Sequence, residues 1–511
     1  MTSRVLGVVR EQVLAGLFGA SDAMDAYNVA YRVPNLLRDL FAEGAMSAAF
    51  VPTFARELAT NGKPSAFRLG RLVVSALLAI TAVLAVAGYV FAEPLVRLFA
   101  GDYAEVSGKL ELTVQLTRIM LPFLTFVALA AVCMGMLNAL HHFFIPALSP
   151  AMFNVATIVC ALVLVPVMPR VGLPAIAAIA IGTVLGGLAQ WAVQWPLLRR
   201  EGFRFAPLFD WRDPGLQRVL LLMGPGTIGL AATQVNVFVN TLLATGEGTG
   251  AVSWLNYAFR LMYLPIGLFG VSIATATTPT IARLAAHADQ AGVRRTIADG
   301  LVLMMMLNVP ATVGLAVLAT PIVQLMYERG AFTPRETLAT AAALQFYAVG
   351  LLGYSVVRIT SPAFYALDRN RIPVAVSIVT VLVNAALNLL LVRSMGYRGL
   401  ALGTSIAALL NATLLLVLLR RHLHGIEGAR VAGSLLRISV ASIAMGVGAV
   451  WIQGVMSAVV PGNAVLAQTL RLGTSIGGAV GVLALAAYLL RIKEFHQGMD
   501  LVLRRLRHRA R

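Results

Sequence analysis

Charge is scarce in this chain. Only 12% of its 511 residues are Asp, Glu, Lys or Arg, about half the share of a water-soluble domain. Hydrophobic residues make up 59% and the mean hydropathy is +0.82, more apolar surface than an ordinary soluble fold can bury. Acidic residues are scarcer still, 22 against 40 Lys and Arg, for a net charge of +18. Such a balance can signal nucleic acid, yet no stretch is polar enough for a soluble module. Much of the positive charge falls at the ends of apolar runs, where the positive-inside rule puts it, so no nucleic-acid partner is expected. The two cysteines, Cys133 and Cys160, lie in apolar runs and read as small core residues rather than a disulfide framework. The seven histidines form no metal-ligand pattern. There is no nucleophile motif and no phosphate-cradling glycine loop. A transporter rather than an enzyme is expected, with no metal and no cofactor. No cleavable signal peptide is visible. Arg4 and Arg10 follow Met1 closely, which suggests a start further upstream or a trimmed end.

What the chain has is long apolar windows, among them 71–92, 120–137, 300–320 and 433–452. A helical crossing takes about 20 such residues, and lipid admits only helices or closed barrels. Runs this long lack the alternation of barrel strands. The expected fold is all-α and polytopic, with about fourteen transmembrane helices. The first two, near residues 10 and 45, are the least apolar. Loop charges place Lys63, Arg199, Arg200, Arg294, Arg295, Arg420 and Arg421 on one face. The bias is about three to one and predicts cytoplasmic N- and C-termini. The basic tail 492–511 is expected on that face, either lying on anionic lipid or solvated.

The chain also repeats itself. Pro94-Leu95-Val96-Arg97-Leu98 returns as Pro321-Ile322-Val323-Gln324-Leu325, and Asn28-Val-Ala-Tyr-Arg32 as Asn256-Tyr-Ala-Phe-Arg260. Two six-helix lobes follow, 1–205 and 206–425, with spans 13 and 14 (426–491) outside the repeat. A membrane protein of two tandem halves is most often a transporter with its site between them.

Arginines inside spans cost about 2.5–3.5 kcal/mol each on insertion scales and by default mark a substrate path. Arg4, Arg10, Arg38 and Arg260 lie in or beside spans, and Arg118 and Arg358 in two others. On a continuous second helix Asp25, Arg32, Asp39 and Glu43 share one stripe and can compensate one another. Arg38 falls outside that stripe, and Arg260 has no carboxylate among its neighbours. Guanidinium groups without counter-charge would attract an anion, and their planar fork suits phosphate. Gly224-Pro225-Gly226-Thr227 is expected to break or bend the seventh span. Asn240, Asn384, Asn388 and Thr404 are candidates for an ion site, with interhelical hydrogen bonding as the alternative.

The motifs Ser3-Arg4-Val5-Leu6-Gly7, Arg10-Glu11, Phe18-Gly19-Ala20, Pro34-Asn35-Leu36-Leu37-Arg38 and Phe41-Ala42-Glu43-Gly44-Ala45 resemble the MurJ (MviN) family. In the second half Ser253-Trp254, Tyr257-Ala258 and Arg260-Leu261-Met262 agree. Family members are lipid II flippases of bacterial peptidoglycan synthesis, within the multidrug/oligosaccharidyl-lipid/polysaccharide exporter superfamily. The resemblance implies a V-shaped pair of lobes around a cationic cavity, with a lipid-tail groove formed by the last two helices. It makes Arg4, Arg10, Arg38 and Arg260 the cavity arginines, Asp25 the acidic residue at the portal, and Glu43 part of the Glu-Gly-Ala motif. The implied setting is the bacterial inner membrane, with lipid II, membrane lipids and the wall-synthesis machinery as partners. The chain departs from the family at Phe259, where Asp is common. It also carries Asn240 and Asn388 where some members have sodium-binding carboxylates, which weakens the case for sodium coupling. A flippase for another polyprenyl-diphosphate glycan and a non-transporting scaffold are the competing readings.

Overall fold

The computed structural model describes residues 2–39, 45–492 and Phe495, and every regular element among them is helical. Glu43 and nearly all of the basic tail lie outside the described residues.

Among the described residues ten helices are long and apolar enough to cross a bilayer. A further pair, Ala251–Gly270 with Ser272–Ala286, does so with a 42° bend. The bend follows Pro265, which has no backbone N–H to donate, and the π turn Ile266–Gly270. Helix Ala45–Val90 is really two helices, broken at Gly62 with φ 78°, a left-handed conformation that a β-carbon disfavours. The run 224–227 does not break its helix, which continues from Pro214 to Thr245.

Loop contacts identify the crossings that hydropathy misses. The residues around Gly62, His142 and Glu201 meet: Lys63 Nζ is 2.8 Å from Glu201 Oε2, and His142 Nε2 is 2.8 Å from Glu201 Oε1. Arg68 stands 3.6 Å from both Asp210 and Asp213 at the start of Pro214–Thr245. On the other face, the turns before Asp22, Lys109 and Ala251 meet, and Ala331 N donates to Gly16 O at 2.8 Å. Helix Thr2–Phe18 therefore ends on the second face, and Asp22–Arg38 with 45–61 returns the chain to the first. Helix Pro214–Thr245 crosses between the two faces as well. These crossings, with those that pass on hydropathy, match the expected polytopic fold.

By contacts, Met1–Ser253 with Arg329–Thr333 is one compact unit, and Trp254–Glu328 with Pro334–Arg511 is the other. The contact boundary thus falls after helix Pro214–Thr245, which packs on Ala45–Val90 in the first unit. The first core is built around Phe50, Phe54, Met136 and Phe203, and holds Cys133. The second is built around Ile297, Leu301, Met304, Ile359, Phe364 and Leu415.

The second core depends on close helix approach. A β-carbon at Gly353 would stand 2.5 Å from the Ala408 backbone carbon, an atom that cannot swing away. Gly353→Ala is expected to destabilise the protein by about 1–3 kcal/mol, read as a lowered midpoint of thermal unfolding in detergent.

Hydrogen bonds from Lys63 first, and His142 second, hold the Glu201 carboxyl below its usual range. A lowered folded-state pKa means stabilisation that is complete above the ordinary carboxylate value, about 4.3. It is lost as pH falls through the lower folded value. The stability gap between the parent and Glu201→Gln should therefore be present at about pH 6 and shrink below about pH 4, checked by unfolding midpoints across that range.

Candidate functional site

Helix Thr2–Phe18 carries Arg4 and Arg10. It packs on Phe144–Leu164, where Asn154 Nδ2 donates to the Ser3 carbonyl at 3.1 Å. Arg4 is exposed. Arg10 is nearly buried, with its guanidinium 5.2 Å from the centre of the Phe153 ring. Its Nε and Nη2 both donate to Glu11 Oε1, at 3.2 and 2.7 Å.

Arg38 ends helix Asp22–Arg38 and makes the same kind of bond, Nε and Nη2 to Asp39 Oδ1 at 3.2 and 2.8 Å. Asp39 Oδ2 accepts from Asn35 and Gln234 at 3.2 and 3.1 Å. This corrects the expectation that Arg38 lacks a counter-charge. On a helical wheel adjacent residues point about 100° apart, but a long guanidinium chain at a helix end folds back and reaches its neighbour. Arg10 and Arg38 are thus partly exposed cations, each already holding one carboxylate.

Arg260, in the second unit, is exposed, although Leu261 and Met262 beside it are 3% and 0% exposed. Its side chain is thus exposed on an otherwise apolar span. Arg358 is also exposed and donates to the Tyr263 hydroxyl.

Asp25, expected at the cavity portal, is instead fully buried. Its Oδ2 accepts from Gly250 N at 2.7 Å and faces Lys109 Nζ at 3.3 Å. Its Oδ1 accepts from Ser253 N at 3.0 Å and Ser253 Oγ at 2.7 Å. The carboxylate thus caps the N-terminus of helix Ala251–Pro265, where the backbone donors and helix dipole favour negative charge. Its partner cation is Lys109 rather than Arg32. Lys109 is 3% exposed, also binds Asp22 at 2.6 Å, and lies 4.1 Å from the Tyr103 ring centre. The sequence alone does not bring Lys109 to this cluster, since its partners lie 84 and 87 residues away. The repeat held a usable signal: Asp22 and Thr249, which bond at 2.8 Å, are 227 residues apart, and Asp25 and Ser253 are 228 apart. Matching turns of the two repeats meet here.

The candidate ion-site residues are divided between the units. Asn240 donates to Asn236 Oδ1 at 2.8 Å in the first. In the second, Asn384, Asn388 and Thr404 are buried, and Thr404 donates to the Leu400 carbonyl at 2.8 Å. Asn388 Oδ1 lies where a β-carbon of Gly403 would stand, so these two helices pack closely. Among the described residues no group of three or more His, Cys, Asp or Glu side chains could hold a metal.

Comparison with known proteins gives this geometry a context. The family model described as "Lipid II flippase MurJ" matches residues 14–469. A Vibrio cholerae protein named probable lipid II flippase MurJ is 35% identical over 433 residues, covering 83% of this chain and 81% of its own. The lipid II flippase MurJ of Burkholderia cenocepacia is 35% identical over 426 residues, covering 83% and 82%. A solved lipid II flippase MurJ in an inward closed conformation superposes with a TM-score of 0.78 at 25% identity, over 96% of this chain and 97% of that one. A MATE-family multidrug transporter, at 16% identity and a TM-score of 0.69, shares the fold. The length of the family match and the identity to these relatives place the chain in the lipid II flippase MurJ family.

Proposed function

We propose that this chain moves lipid II, the undecaprenyl-diphosphate-linked peptidoglycan precursor, from the cytoplasmic to the periplasmic leaflet by alternating access. Arg4, Arg10, Arg38 and Arg260 contact the diphosphate in transit. The observation that carries the reading is Arg260, a guanidinium held exposed on an apolar span beside the buried Leu261 and Met262. A cation on a membrane span by default marks a substrate path, and its planar fork matches phosphate oxygens. Arg10 and Arg38 act by exchange: the diphosphate competes with Glu11 and Asp39 for the same N–H groups, and these carboxylates offset the charge of the two arginines before it arrives. Asp25 serves a different purpose, fixing the outer turns against which the helices move. Asn240, Asn384, Asn388 and Thr404 hold helices together and make at most a weak ion site. The protein lies in the bacterial inner membrane with both termini cytoplasmic, because the face shared by Lys63, Arg68 and Arg200 carries the basic excess. Wall-synthesis proteins are its natural neighbours there.

Reconstitution into vesicles with fluorescent lipid II tests the reading. Label should become accessible across the bilayer with the parent protein and not with Arg260→Ala. Equal rates with and without protein would refute it. Running the assay with an imposed potential separates voltage from ion gradients as the driving force. Movement of another polyprenyl-diphosphate glycan, but not lipid II, would favour the nearest alternative. Intact wall synthesis without any flipping would favour a scaffold.

A further inference from the structure

A second polar site lies away from these arginines. Helices Ala45–Val90, Ala92–Ala100, Lys109–Met120 and Ala177–Ala192, with Leu173, line a cavity of ≈ 700 Å³ on the face where the first ends and the third begins. Its polar lining is Tyr89, Glu93, Arg97, Glu111, Gln115 and Arg118. Arg97 pairs with Glu93 at 2.9 Å. Arg118 lies 5.1 Å from the Tyr89 ring centre and donates through Nε to the Tyr89 carbonyl at 3.3 Å. Among the described residues neither Arg118 nor Glu111 takes part in an ion pair.

The repeat supplies an internal control. Shifted by 227 residues, Arg118 becomes Gln345 and Tyr89 becomes Ala316. Gln345 Nε2 donates to the Ala316 carbonyl at 3.1 Å, across the same 29-residue separation as Arg118 to Tyr89. The helix contact therefore needs only a neutral donor. At the other matching positions Glu93, Arg97 and Glu111 become Thr320, Gln324 and Leu338. The fold is built without these charges in the second half, so in the first half they have another use.

The cavity fixes which ligand fits. Arg118 seeks an anion and Glu111 a cation. They sit seven residues apart on one helix face, about 10 Å along the axis. The helix that carries Tyr89 also exposes an apolar strip: Val83, Val86 and Val90, with Phe91 at its end, are 68%, 65%, 62% and 59% accessible. A ligand with a phosphate, an ammonium and apolar chains satisfies all three. We propose that this cavity binds a phospholipid of the phosphatidylethanolamine type, with phosphate on Arg118, ammonium on Glu111 and acyl chains along the valine ridge. A primary ammonium is favoured over choline because Glu111 and Gln115 offer acceptors that a quaternary nitrogen cannot use.

Native mass spectrometry of the full-length protein in detergent tests this, with phosphatidylethanolamine, phosphatidylcholine and phosphatidylglycerol supplied separately. The parent should retain the ethanolamine lipid about tenfold better than either of the others. Arg118→Gln and Glu111→Leu, which copy the second half and so should fold, should each lower that retention at least fivefold. Their unfolding midpoints without lipid should match the parent. Equal retention by parent and variants, or no preference among headgroups, would overturn the site. Displacement by tail-free glycerophosphoethanolamine at millimolar levels would overturn the lipid assignment.

Discussion

Replacing Arg260 with alanine is expected to lower lipid II flipping by about 10- to 100-fold, because charge-assisted hydrogen bonds contribute about 1.5–3 kcal/mol each. Cells depleted of their own flippase should not grow on this variant. Arg260→Lys should rescue only in part, since an ammonium cannot bind two phosphate oxygens in one plane. Arg38→Ala should behave similarly and is the more diagnostic of the two. Its removal leaves Asp39 still bonded to Asn35 and Gln234, so the fold loses little. A loss of flipping with an unchanged unfolding midpoint would then report on substrate. Full complementation by either alanine variant at normal expression would remove that arginine from the path.

The second large effect is structural. Asp25→Ala leaves the backbone donors of Gly250 and Ser253 buried without their acceptor, and takes from buried Lys109 the one of its two carboxylates that is itself buried. Breaking a buried charge pair from one side costs about 3–5 kcal/mol, so the unfolding midpoint should fall by several degrees. The turn 246–250 should also become open to protease. Lys109→Met should be comparably harmful, because it strands the Asp25 carboxylate. Asp22→Ala is the control: its side chain is 42% exposed, and its loss leaves Lys109 paired with the buried Asp25, so a smaller shift is expected. If Asp25→Ala and Asp22→Ala shift the midpoint equally, the buried cluster is not what holds the outer turns.

The two cases show different depths of legibility. Arg260 was readable from sequence because an isolated cation in an apolar run is conspicuous, and the structure leaves it exposed. The partners of Arg10 and Arg38 were not, because wheel geometry gives the direction of a β-carbon and not the reach of a guanidinium. Asp25 stood out in the sequence, but its bonding partners did not. Its partners lie 84 and 228 residues away, and only the folded chain brings them together. The Arg118 cavity was invisible for the same reason, since its walls come from four helices.

By itself the sequence determined the solvent, the helical class, the repeat and the cost of each embedded arginine. These depend on composition and on periodicities within a single span, where local chemistry dominates. Tertiary structure decided which charges are paired, which are sealed and which face open space. Those outcomes depend on distances of a few ångströms between residues far apart in the chain. Low dielectric magnifies every such distance into a difference in free energy.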